Sequence, residues 1–287
     1  MLRKVDRVQI VVRDRRASVR AAEIFGGEEI GGDDLAILGA RRVVMQAGTS
    51  LFEFLEPTSA GPAADHLTRF GEGLFAVGFA VDDLDVAAES LSRAGVRSHR
   101  ERGQLYPDPA GLFGMRTVLS LRHERAPVGA IRSLYEGTFL VADHTVAAIN
   151  YADVFGLDSG RFVPIAIDEF GYTGQLLMFD APARLDRIEL ASITDSEKPM
   201  GRFFSRRGNS WYMFYVETDD PDAFAAGLAE HNIRFSEHHG LSTFYLHPSA
   251  FCGALVGVSR TGAAWRWSGD PSRGGSPGRQ TSGPPTQ

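Results

Sequence analysis

Along residues 5–12 the apolar positions alternate, with Val8, Ile10 and Val12 on one side and Arg7, Gln9 and Val11 on the other. The spacing predicts a strand with one polar face. The period then lengthens. Residues 15–25 have helical composition, follow Asp14 as a capping residue and stop at Gly26-Gly27. Strand alternation returns over 41–46 and 50–55, and the order strand, helix, strand meander then restarts. A strand over 74–81, a helix over 84–94 opened by Asp82-Asp83 and closed by Gly95, and strands near 103–106 and 115–121 make a second unit. A third is predicted over 138–193, with strands near 138–141, 162–167, 175–179 and 187–193 and a helix over 144–155. A fourth follows over 211–258, with strands at 211–216, 243–246 and 254–258 and a helix over 222–231.

The units pair by repetition. Residues 106–120 return as 245–259 at a constant offset of 139, matching Tyr106 with Tyr245, Pro109 with Pro248, Gly114 with Gly253 and Ser120 with Ser259. Repetition at that length predicts two similar domains in tandem, 1–125 and 134–265, joined by a linker over 126–133. Residues 266–287 are rich in Gly, Ser and Pro and are expected to be disordered.

Composition narrows the function. The chain has 287 residues, 43% of them hydrophobic, enough for two ordinary cores. Thirty Lys and Arg against 36 Asp and Glu leave a net charge of −6 with no basic face, which argues against a nucleic-acid partner. One cysteine, Cys252, excludes an internal disulfide and suits a reducing compartment, with a buried, inert thiol expected. The start of the chain lacks the apolar stretch of a signal peptide and no segment has the length of a membrane span, so the expectation is a cytoplasmic protein.

Four phrases, "VQIVVRD" at 8–14, "LFEFLEPTS" at 51–59, "GFAVDDLD" at 78–85 and "HPSAFCGALVGV" at 247–258, resemble the vicinal oxygen chelate superfamily, which includes glyoxalases, methylmalonyl-CoA epimerase, bleomycin-resistance proteins and extradiol dioxygenases. The resemblance covers about residues 5–260. It implies an α+β fold of four βαβββ modules forming two tandem domains with curved mixed sheets. It also implies a divalent metal held by His, Gln or Glu at four strand positions. Strand by strand, the first domain offers Arg7, Glu53, Ala76 and Val118 at those positions, and the second Glu136, Glu189, Trp211 and Gly257. Neither set is the family's chelate, so no metal or other cofactor is expected, although a divalent ion on other ligands stays open.

Arg7 facing Glu53 substitutes a fixed cation for the metal, and with Gln9 these residues line the first concave face as candidate ligand contacts. Strand parity assigns Trp211, Met213 and Tyr215 to a concave row in the second domain, beside Arg187 with Glu189 and Tyr245 with His247. An aromatic wall with converging polar groups suits a partly apolar, oxygenated small molecule. Glu136 and Glu189, if they converge, form a carboxyl pair for proton transfer, with Tyr245 and His247 as further acid or base groups. His247 also reads as a turn residue before Pro248, and the His238-His239 pair beside Glu237 as a weak metal cluster. The expected function is metal-independent proton transfer of isomerase, lyase or cyclase type in the second cavity. Sequestration of a small molecule, as in drug-resistance proteins, is the alternative, and extradiol-type dioxygenation a third reading. The state of association, monomer or homodimer, is open.

Overall fold

A computed structural model describes residues 1–179, 185–236 and 243–268. The first module is β1 (Leu2–Val11), α1 (Ala17–Phe25), β2 (Glu28–Leu35), β3 (Ala40–Ala47) and β4 (Ser50–Pro57). After α2 (Pro62–Phe70) comes the second, β5 (Gly73–Val81), α3 (Leu84–Arg93), β6 (Ser98–Glu101), β7 (Gln104–Pro107) and β8 (Thr117–Leu121). The two modules form one sheet in the order β2-β3-β4-β1-β5-β8-β7-β6. The third module is β9 (Ser133–Leu140), α4 (His144–Phe155), β10 (Val163–Ile167), β11 (Tyr172–Met178) and β12 (Arg187–Ile193). α5 (Pro199–Arg207) leads to the fourth, β13 (Ser210–Thr218), α6 (Pro221–Glu230), β14 (Thr243–Leu246) and β15 (Leu255–Arg260). The described strands of the second sheet run β10-β11-β12-β9-β13-β15-β14. Each sheet centres on an antiparallel pair, β1 with β5 and β9 with β13, and β1 and β9 are also flanked in parallel by β4 and β12.

Helix starts follow side-chain chemistry. Asp83, Asp143 and Asp220 each accept hydrogen bonds from backbone N–H groups of the first turn of α3, α4 and α6, satisfying donors that the helix leaves open. The acidic pairs at 82–83 and 219–220 therefore sit at helix entrances; Asp219 bonds Thr261 and Arg132 there. α1 differs from expectation: it opens at Ala17, and Asp14 binds the backbone and guanidinium of Arg16 one turn earlier. Gly26 ends α1 at φ +63°, with the backbone of Gly129 3.3 Å from where a Cβ would stand.

The two domains do not keep separate cores. One continuous apolar cluster takes Val8 and Ile10 of β1, Phe52 of β4, Phe79 of β5, Phe139 of β9 and Phe214 of β13, so the convex faces of the sheets are buried against each other and against the helices. Phe251, beyond β14, meets Phe25, Phe52 and Phe214 with ring centroids 5.0–6.2 Å apart. Backbone bonds tie the halves together as well, Ala130 N–H to Phe25 and Thr49 N–H to Arg132. Each concave face keeps a smaller apolar cluster of its own. Cys252 lies beside the shared core, and burial pushes its thiol up to about 12, in keeping with an inert sulfur. Among the described residues no helix is long and apolar enough to cross a membrane. The tail over 269–287 and the histidine pair at 238–239 lie outside the described residues.

Candidate functional site

On the first concave face the fully buried Glu53 receives four donors. Arg7 Nη1, Gln104 Nε2 and Arg42 Nη1 reach its Oε1 at 2.6, 2.7 and 3.2 Å, and Gln9 Nε2 reaches Oε2 at 2.8 Å. Arg42 is clamped by both oxygens of Asp33, and Arg7 also donates to Asp6 and Ser120. Burial raises the Glu53 carboxyl, but Arg7 and Arg42 outweigh it and hold it below the usual carboxylate range. A side chain on Gly78 would collide with Arg7 Cγ and Val118, so the glycine lets Arg7 lie across the strand. Arg7 and Glu53 thus face each other as the sequence places them and satisfy one another within this network. Arg42 and Gln104, unforeseen, complete it. Gln9 also borders open space on this face.

The second face places a different chemistry in the same register. Glu136 stands opposite Tyr215 as Arg7 stands opposite Gly78, and Glu189 opposite Thr138 as Glu53 opposite Gln9. Tyr172 and Thr138 each donate a hydroxyl to Glu189 at 2.6 Å, one to each oxygen. Glu136 accepts from Arg187 Nε at 2.5 Å and lies near enough to Glu189 for that charge to act on it. Arg187 is anchored in turn by the Ala264 carbonyl at 3.2 Å and by the face of Tyr135. Burial, reinforced by the Glu189 charge against the opposing pull of Arg187, raises the Glu136 carboxyl to about 7. Burial also holds Tyr172 and Tyr215 well above the usual phenol range, leaving them neutral donors.

Around the carboxyl pair, Tyr172, Tyr212, Met213, Tyr215 and Tyr245 form the wall, and Phe203 and Phe204 of α5 pack against the same cluster. Trp211 is absent from it. A register shift between Trp211 and Met213 breaks the two-residue alternation, so Trp211 turns to the shared core, donating its indole N–H to the Arg116 carbonyl at 2.6 Å and meeting Phe139 edge-on. Tyr212 takes a place on the concave side instead. His247 takes the turn role: β14 ends at Leu246, and the imidazole Nδ1 caps the turn at Pro248 through Ser249. Asp108 does the same in the first copy of the repeat.

The register also corrects the metal comparison. The position paired with Thr138 is Met213, and the one paired with Tyr215 is Gly257, where any Cβ would strike the Tyr215 ring. Two carboxyls, a thioether and a glycine filled over by a phenol ring do not fit a hard divalent ion. Among the described residues no other trio of His, Cys, Asp or Glu converges.

The raised carboxyl has a consequence for stability. A folded-state value above the unfolded one means that the native protein binds the extra proton, so this contribution is fully present below about 4.5 and is lost as pH rises through about 7. Melting temperature is expected to fall between pH 5 and 8, and Glu136→Gln to flatten that slope. Thermal denaturation of both proteins across the range checks it, and parallel slopes would refute it.

No protein-family profile and no curated protein sequence matches the chain. Solved structures do. A triple variant of 4-hydroxymandelate synthase from Streptomyces coelicolor superposes with a TM-score of 0.72 over 91% of this chain and 93% of its own, at 12% identity. A xylose isomerase-like TIM barrel/4-hydroxyphenylpyruvate dioxygenase fusion protein gives 0.61 over 91% of this chain and 49% of its own, also at 12%. Methylmalonyl-CoA epimerase from Mycobacterium tuberculosis, at 21% identity, covers 46% of this chain and 89% of its own with a TM-score of 0.40. The likeness over nearly the whole chain, with the paired modules and curled sheets described above, gives this protein the vicinal oxygen chelate fold in its tandem two-domain form.

Proposed function

We propose that the chain is a small-molecule enzyme whose second concave face performs proton transfer, of isomerase, lyase or cyclase type, on an oxygenated and partly apolar metabolite. The observation that carries this reading is two buried carboxyls, Glu136 and Glu189, on adjacent strands of the concave face, the first held by Arg187 and the second by two hydroxyl donors. In this reading Glu189, with hydroxyl donors on both oxygens, is the base that takes a proton from carbon. Glu136 is the acid that returns one, while Arg187 fixes its orientation. Tyr172, Tyr215 and Tyr245 supply neutral donors and ring faces for the substrate's oxygens and apolar body. No step is routed through a metal, because the donors at 213 and 257 do not fit one.

Thermal-shift screening of oxygenated metabolites identifies ligands of the native state. Incubating each stabilising compound with the protein in D2O then tests the chemistry, with carbon-bound deuterium in the recovered compound, read by mass spectrometry, as the expected result. Stabilisation without exchange or product for every hit would replace this proposal with the second reading, a sequestering protein, which the tyrosine wall also favours.

A further inference from the structure

The first domain carries a cavity of its own. Above the Glu53 network lies a space of about 320 Å³, at the lower end of the range that holds small ligands. Its walls are apolar where Leu38, Phe75 and Ala76 line it, and polar where Gln9 and Tyr106 close the floor. Arg116 projects on the same lining, at the start of β8. Its guanidinium lies over the Phe75 ring at 4.9 Å and, among the described residues, makes no hydrogen bond or ion pair. The carboxylates nearest in effect are Asp65 and Asp108, and Asp108 is already taken by Arg97 and by the Ala110 N–H. Behind Phe75, burial and then the charges of Arg207 and Arg116 press His66 down to about 4. Arg97 stands at the open rim.

A half-buried guanidinium with a free fork, stacked on an aromatic ring at the edge of an apolar cavity, is the arrangement that receives a planar oxyanion. We propose that the first domain is a second ligand site, independent of the carboxyl pair, binding a small organic carboxylate whose apolar body enters between Phe75, Ala76 and Leu38 while Arg116 takes the carboxylate. The volume limits that body to roughly one substituted ring. This turns a domain without an acid–base constellation into one with a recognition role.

Calorimetric titration of the full chain tests it, with 3-phenylpropionate as the probe, its neutral amide as the charge control and inorganic phosphate as a bare oxyanion. The carboxylate is expected to bind more tightly than the amide, and phosphate is expected not to displace it. Arg116→Gln should weaken the carboxylate at least about tenfold while leaving the amide within about twofold, and Arg116→Lys should recover part of the loss. Ala76→Leu, which fills the cavity, should weaken both ligands. Glu189→Gln should change neither, which separates this site from the proposed catalytic one. The contact from Trp211 uses the Arg116 carbonyl, so it persists in the side-chain variants, and unchanged melting curves verify their fold. A dissociation constant weaker than about 5 mM, equal binding by wild type and Arg116→Gln, insensitivity to Ala76→Leu, loss in Glu189→Gln, or displacement by phosphate would each overturn the proposal.

Discussion

Replacing Glu53 by Ala is expected to lower the melting temperature by about 5 °C or more while leaving the carboxyl pair of the second domain untouched. The substitution removes the anion shared by Arg7 and Arg42 and leaves the amide donors of Gln9 and Gln104 without an acceptor at full burial. Removing one partner of a buried pair typically costs about 3–5 kcal/mol, most of it the penalty of an uncompensated charge. Arg7 keeps Asp6 and Arg42 keeps Asp33, so the lower end, about 3 kcal/mol, is the figure expected here. Glu53→Gln separates charge from volume. If charge dominates, it melts nearly as low as Glu53→Ala; if packing dominates, it melts like wild type. The depressed Glu53 carboxyl adds a pH signature. Its contribution is present above the unfolded value of 4.5 and disappears as pH falls, so wild type and variant should converge in acid.

The second large effect concerns turnover. Once a substrate is identified, Glu189→Gln is expected to reduce kcat by about 10²–10⁴-fold, the usual contribution of a positioned general base. An amide keeps the volume and can still accept from Tyr172 or Thr138, but it cannot take a proton from carbon. Stability should hold, because replacing one buried carboxylate beside another removes a repulsion. Full turnover with Gln at 189 would remove the base assignment, and a collapse in melting temperature would recast the pair as structural.

Much of this organisation could be read from alternation and repetition. The β1 pattern places Arg7, Gln9 and Val11 on one face and Val8, Ile10 and Val12 on the other, as the two apolar clusters show, because no residue is inserted into β1 itself beyond Asp6. Trp211 shows where such arithmetic stops. A single bulge moves every earlier residue of the strand to the other face, and no residue type announces it. β2 escaped notice because its residues are exposed at a sheet edge and include Gly31-Gly32, so it has no buried face to imprint a pattern. α2 and α5 were hidden by brevity and by polar composition, although each opens on a proline at its first turn, a usable signal. Arg42 was also findable: it alternates with Met45's core-facing side and falls in register with Ala40 on the concave side. Arg116 was findable too, since it lies within the strand expected over 115–121 and shares the parity of Val118 on the concave face.

The two glycines under the crossing side chains bear on which residues this scaffold accepts. Metal binding in the second domain would demand a donor at 257, yet any side chain there strikes the Tyr215 ring before it reaches an ion. Tyr215 must shrink first, and that step removes a buried aromatic and opens a hole beside Tyr135 and Tyr245. In the first domain the position matching 257 is Val118, paired with Gly78, and Arg7 itself occupies another of the four. A donor at 257 is therefore compatible with this fold only together with a smaller residue at 215, so the two positions are sterically linked.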